Sequence, residues 1–229
     1  MKIEILFSEI ANLFGDMANV RYLEKCLPDA TFIYTSLNDE PKFINEDVDL
    51  IYMGPMSENS QELVIKKLFK YRNKIKKAIE DNKKFLITGN AIEIFGKYIE
   101  NEDGTKIEAL GLYDIYAKRN MMARYNSIVI GSFNDLKIVG FKSSFTEIYG
   151  NAPKFLDIIR GYGNNKESLV EGIHDHNFIA TTLLGPILIT NPYFTKYILN
   201  KDSILFEEDL INAYNKRVEE FLDSKRSLD

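Results

Sequence analysis

The constraint that most narrows the fold is the order of apolar runs in the first hundred residues. Ile3–Phe7 is a short apolar run suited to a buried strand, and Thr31–Thr35, Asp49–Met53 and Lys84–Thr88 read as further strands. Helical segments separate them. Val20–Leu27 predicts a helix closed by Pro28, whose ring cannot continue it. Ser60 is placed to N-cap a long amphipathic helix running to about Asp81, with Leu63, Leu68, Ile75 and Ile79 as inward candidates. A further helix opens with Ile92 and stops at Gly96. Strands joined through helices pair in parallel, because the crossover carries the chain back to the end where the strand began. The expectation is an α/β, flavodoxin-like fold: a mostly parallel sheet flanked by helices.

Beyond Gly104 the texture changes. Ser127–Ile130, Leu136–Phe141 and Phe178–Leu183 read as strands separated by Gly, Asn and Asp, and predict antiparallel additions to the sheet in the C-terminal half. Asp209–Leu222 predicts a C-terminal helix. No linker rich in Pro, Ser or Gly and no repeat divides the chain, so residues 1–229 are expected to form a single domain.

Charge and composition exclude several classes of function. Lys plus Arg total 29 against 34 Asp plus Glu, a net charge of −5, which gives no electrostatic basis for binding nucleic acid or an anionic membrane. The basic run from Lys66 to Lys84 alternates with Leu68, Phe69, Ile75 and Ile79 and reads as the solvated face of a helix. No apolar run approaches the roughly 18 residues of a membrane span. Glu4 and Glu9 interrupt the start where a signal peptide needs apolar residues. One cysteine, Cys26, excludes an internal disulfide. These features point to a cytoplasmic protein.

In an open parallel sheet, ligands bind beyond the carboxyl ends of the strands. Two such ends stand out: Gly54-Pro55-Met56 and Thr88-Gly89-Asn90-Ala91. The second is a sharp strand-to-helix turn, the geometry that elsewhere lifts a Ser or Cys nucleophile into a site with a His in reach. Here its centre is Gly89. Thr88 is the nearest hydroxyl, but alternation along the strand turns it away from the next residue's direction. Cys26, at the end of the first helix, reads as a small apolar residue. His174-Asp175-His176 has the alternation to hold a metal on one strand face, although a polar turn before Phe178 is the plainer reading. Gly161–Asn165 lacks the strand-then-helix context of a phosphate loop and reads as a turn. The sequence implies no cofactor.

The segment Ala11-Asn12-Leu13-Phe14-Gly15-Asp16-Met17-Ala18-Asn19 resembles the opening pattern of class I glutamine amidotransferase domains of the cobyric acid synthase type. Gly104-Thr105, Leu110-Gly111-Leu112, Gly140-Phe141, Gly161–Asn165, Glu171-Gly172 and Gly185–Leu188 follow at that family's spacing, nearly end to end. Within the class, the chain is most similar to glutaminase subunits of lipid II isoglutaminyl synthase, which work with a Mur-ligase-like subunit. The resemblance implies glutamine hydrolysis by a cysteine nucleophile and a histidine base, with backbone N–H groups holding the oxyanion.

Carried over by position, the family's Cys-Gly-Gly-Tyr-Gln falls on Gly89-Asn90-Ala91-Ile92-Glu93, which places the nucleophile at Gly89. Its Tyr-Leu-His-Gly-Pro falls on Thr182-Leu183-Leu184-Gly185-Pro186, which places the histidine at Leu184. Its triple-glycine loop becomes Gly54-Pro55-Met56, and its Glu-Asn-His-Gly-Gly becomes Lys142-Ser143-Ser144-Phe145-Thr146. A carboxylate-binding arginine aligns with Ala123, beside Arg124. The pocket candidates are therefore Gly54, Met56, Thr88, Asn90, Ala91, Glu93 and Arg124, with no catalytic residue at Gly89 or Leu184. The expectation is a silent, partner-binding or regulatory relative docking onto a Mur-ligase-like or other amidating enzyme. The alternatives are an active glutaminase using other groups, and a small-molecule sensor.

Overall fold

Alternation along the central strands decides how the layers are built. The computed structural model describes residues 1–225. Its main sheet has six strands in the order β13-β14-β4-β3-β1-β2. These are β1 (Lys2–Leu6), β2 (Thr31–Thr35), β3 (Leu50–Met53), β4 (Lys84–Thr88), β13 (Ile173–Asp175) and β14 (Phe178–Thr181). All neighbours pair in parallel except β13, which runs antiparallel to β14 at the edge.

On β3, Ile51 and Met53 join one core while Leu50 and Tyr52 join the other. On β4, Phe85 and Ile87 face the first core and Leu86 the second. Each strand therefore buries both faces, and each buried aliphatic contributes about 1.5–3 kcal/mol. The first core is covered by α2 (Glu58–Phe69) and α3 (Arg72–Glu80), and by a four-stranded sheet of β10-β7-β5-β6. That sheet comprises β5 (Tyr98–Glu100), β6 (Lys106–Glu108), β7 (Asp114–Arg119) and β10 (Thr146–Asn151). The second core is covered by α1 (Met17–Cys26), α4 (Ile187–Thr190), α5 (Pro192–Leu199) and a four-stranded sheet of β12-β11-β8-β9. The latter is built from β8 (Tyr125–Phe133), β9 (Leu136–Ser144), β11 (Leu156–Arg160) and β12 (Val170–Glu171). The C-terminal helix α6 (Glu207–Leu222) packs Tyr214 against Ile130 and Val139 of this sheet.

Three expectations change. The long helix is two, because the cap is Ser57, whose Oγ accepts from the Ser60 N–H at 3.3 Å, and because the chain breaks helical geometry at Tyr71 (φ −103, ψ 5). With the start moved, the inward stripe becomes Gln61, Val64, Ile65 and Leu68, at helical spacing, and Leu63 is 53% exposed. The segment after Thr88 is a 3-10 turn, Gly89–Phe95, rather than an α-helix opening at Ile92. Finally, Ser127–Ile130 and Leu136–Phe141 belong to a separate antiparallel sheet, whereas Phe178–Thr181 enters the main sheet parallel to β4. The crossover into β14 is made of small sheets instead of a helix, so no helical period announces the parallel pairing. No helix among the described residues is long and apolar enough to cross a membrane.

Candidate functional site

The carboxyl ends of β3, β4 and β14 lie side by side, and the loops leaving them build one pocket of about 110 Å³. Loop 54–57 leaves β3 for the capped start of α2; Gly89 leaves β4; Thr182–Leu184 leaves β14. The loop after β1 adds Leu13 and Phe14, and the end of β9 adds Ser143 and Ser144. Of the residues singled out in the sequence, Met56, Asn90, Glu93, Arg124 and Leu184 line this pocket. Gly54, Thr88 and Ala91 lie behind it: Ala91 is fully buried in the first core, and Thr88 is buried on the other face of β4.

Gly89 occupies left-handed backbone, φ +62, where a side chain is strained. A Cβ built there would lie 2.5 Å from Pro55 Cβ and 2.8 Å from Leu184 Cδ2. Pro55 is a rigid ring and cannot yield as a flexible side-chain tip would. The space in front of the elbow is thus filled by two apolar groups. Leu184 is fixed in turn by its N–H, which donates to Phe141 O at 2.7 Å.

Asn90 closes the neighbouring backbone. Its Oδ1 accepts from the Met56 N–H at 3.0 Å, and its Nδ2 donates to Met56 O at 2.8 Å. Gln61 Nε2 donates to Asn90 O at 2.7 Å and to Glu93 Oε2 at 2.9 Å. Gln61 Oε1 accepts from the Arg119 guanidinium at 3.0 Å. The other Glu93 oxygen accepts from Thr146 Oγ1, which lies 2.7 Å from Ser144 Oγ. Burial pushes the Glu93 carboxyl up, while the hydrogen bonds from Thr146 and Gln61 and the charge of Arg119 hold it back. At the mouth, Arg124 lies over the Phe145 ring, 4.3 Å from its centroid, and reaches Ser143 Oγ at 3.3 Å.

Behind the elbow lies a second polar cluster. The buried Asp16 carboxylate accepts from the Tyr52 hydroxyl, from Thr88 Oγ1 at 2.8 Å and from Asn19 Nδ2 at 3.2 Å. Burial raises its pKa to about 7, and the three donors oppose that rise. Gly54 is needed here because a Cβ would stand 2.7 Å from Ala11 O and 2.9 Å from Asp16 Oδ2. Glu171, also buried, accepts from Thr181 Oγ1 at 2.9 Å and from the Thr182 N–H at 2.6 Å, and so fixes the end of β14. Lys142 turns away from the pocket, fully buried, and donates to Gly163 O at 2.6 Å; burial lowers its pKa.

The remaining sequence candidates lie elsewhere. His174 packs edge-on to Phe133 at 5.0 Å, and His176 is in the turn before β14, at the opposite end of that strand from Leu184. Among the described residues, no group of three His, Cys, Asp or Glu could hold a metal ion. Cys26 packs against the second core at the end of α1. Pro55, Gln61, Ser144, Thr146 and Arg119 were not singled out from the sequence. Pro55, Ser144 and Thr146 fall inside segments that the resemblance marks as altered, which is a usable signal. Gln61 and Arg119 carry none, since only the fold brings α2 and β7 to Glu93.

Residues 2–191 match the family described as the CobB/CobQ-like glutamine amidotransferase domain. The chain is 32% identical over 196 residues to the Staphylococcus aureus (strain N315) lipid II isoglutaminyl synthase (glutamine-hydrolyzing) subunit GatD, covering 85% of this chain and 81% of that one. It is 25% identical over 199 residues to the Streptococcus pneumoniae (strain ATCC BAA-255 / R6) subunit of the same name, covering 83% and 76%. A solved glutamine amidotransferase from Thermotoga maritima matches with a TM-score of 0.54 at 11% identity, over 98% of this chain and 99% of that one. The Trypanosoma brucei CTPS glutaminase domain with bound acivicin matches with a TM-score of 0.53 at 10% identity, over 90% and 97%. These two likenesses establish the fold alone.

Proposed function

The chain belongs to the CobB/CobQ-like glutamine amidotransferase domain family, and from that premise we propose that it is a glutaminase-like subunit of the lipid II amidation type which keeps the scaffold and the partner role but not glutamine hydrolysis. The observation that carries this reading is the space in front of Gly89. A nucleophile there would overlap Pro55 Cβ and Leu184 Cδ2, so the elbow lacks both a thiol and the room for one.

The surroundings support the same reading. Hydrolysis needs a base beside the nucleophile and a free N–H for the oxyanion. Leu184 offers no base, and the Met56 N–H already donates to Asn90. Losing a nucleophile or its base costs on the order of a millionfold in rate in serine hydrolases. Thr88 gives no support to a substitute mechanism, because its hydroxyl donates to Asp16 behind the elbow. What remains is a polar pocket on an intact fold, suited to a regulatory or docking role beside a Mur-ligase-like amidating enzyme.

The test is ammonia release from glutamine by the purified chain, alone and with a Mur-ligase-like subunit. The expected result is no glutamine-dependent ammonia from either sample, with a complex in the second. Turnover above that of the Asn90→Ala and Glu93→Gln variants would overturn the reading. A second reading, a small-molecule sensor, draws on Arg124, which is stacked on Phe145 with no carboxylate in ion-pair range among the described residues. Calorimetric titration with glutamine and its analogues tests it, and absence of heat removes it.

A further inference from the structure

Beside the polar pocket runs an apolar groove of about 350 Å³, walled by Phe14, Phe141, Leu184, Pro186 and Phe221. Phe14 and Phe141 are 46% and 43% exposed, unusual for rings that also line a concavity. Phe141 and Leu184 are joined across the groove by a β-bridge, closed by the Leu184 N–H. Among the described residues its one charged wall residue is Arg217, on α6. Arg217 is half-buried and makes no hydrogen bond or ion pair among the described residues.

Arg217 brings an unpaired guanidinium to the edge of an apolar groove, a fork of donors that a carboxylate meets bidentately. We propose that this groove docks a segment of the amidating partner in which a bulky apolar side chain is followed by a carboxylate, the first filling the groove and the second pairing with Arg217. The proposal rests on the partner-subunit reading above. Charge argues against a second copy as occupant, since a two-fold interface through the groove would bring Arg217 toward its own symmetry mate. Arginine and aromatic side chains are the groups that most often dominate binding energy at interfaces. The groove shares Phe14 and Leu184 with the polar pocket, so the docked segment lies next to the elbow.

The experiment measures binding of a purified Mur-ligase-like amidating subunit from the same genome to the full chain and to four variants. Arg217→Glu and Phe141→Ser are expected to weaken binding at least about tenfold, Arg217→Lys only a few-fold, and Lys216→Glu less than about twofold. Lys216 is the matched control, one residue away and exposed outside the groove. A thermal melt of each variant separates lost docking from lost folding. Binding by the wild type that both Arg217→Glu and Phe141→Ser retain overturns the groove assignment and leaves the partner reading standing. No binding by the wild type sinks both. Self-association of the wild type that Phe141→Ser abolishes would make the occupant a second copy and overturn the proposal as stated.

Discussion

The two sides of the Thr88–Gly89 elbow have opposite chemistry. Behind it, Asp16, Asn19, Tyr52 and Thr88 form a buried polar cluster in which every donor finds an acceptor. In front of it, Pro55 and Leu184 fill the space with hydrocarbon and Asn90 ties down the Met56 N–H. The rear holds the ends of β3 and β4 to the start of α1, so its polarity supports the fold. The front ties fewer elements together and is expected to tolerate change at a lower cost to the fold. A buried polar group is retained where its removal leaves partners unsatisfied, and is dispensable where it faced solvent or substrate.

Breaking the rear should have the largest effect. Asp16→Ala removes the carboxylate that three buried donors share and is expected to cost about 4 kcal/mol, read from the denaturant midpoint. A cost below that of a surface substitution would mean that the cluster does not support the fold. The same carboxyl predicts a pH dependence. Its folded pKa, raised to about 7 from 3.8, means that the folded state holds its proton longer than the unfolded chain does. The stability it contributes is full below the unfolded value and is lost as pH rises through the folded value near 7. Asp16→Asn should remove that slope between about pH 4 and 7, leaving those from Glu93 and Glu171, whose carboxyls burial also raises.

The front should respond more weakly. Gly89→Cys is expected to lower stability by about 2 kcal/mol through overlap and left-handed strain, and to release no ammonia. Adding Pro55→Gly should recover part of the loss, because it removes the nearer clashing atom; a double variant no more stable than the single would place the strain elsewhere. Asn90→Ala, which frees the Met56 N–H and O, should cost about 1 kcal/mol, measured by thermal melt.

How far this contrast could be read in the sequence differs between its halves. Lys84–Thr88 was legible to the residue as a buried strand, and Thr31–Thr35, a half-exposed edge strand, was legible through its aromatic and β-branched residues. The elbow was legible too, because a strand followed by Gly-Asn-Ala has few other solutions. Helix ends were less so: Ser57 and Ser60 are equally good caps in isolation, and only packing of Val64 and Ile65 selects the first. Pairing direction was hidden in the C-terminal half, because an apolar tetrapeptide such as Phe178–Thr181 has the same appearance parallel or antiparallel. The Glu93–Gln61–Arg119 connection was out of reach, since it joins three elements whose proximity is tertiary.

Phe14 has a consequence of a different kind. It holds a left-handed backbone, φ +57, that bulky residues seldom adopt, and its ring is a party wall between the polar pocket and the apolar groove. A bound group that pushes this ring toward one chamber shrinks that chamber and enlarges the other. Thermodynamic linkage then requires the influence to run equally in both directions: whatever a ligand in the pocket does to docking in the groove, docking must do to the ligand. Two chambers with Phe14 and Leu184 as common walls are, in that sense, one instrument with two inputs.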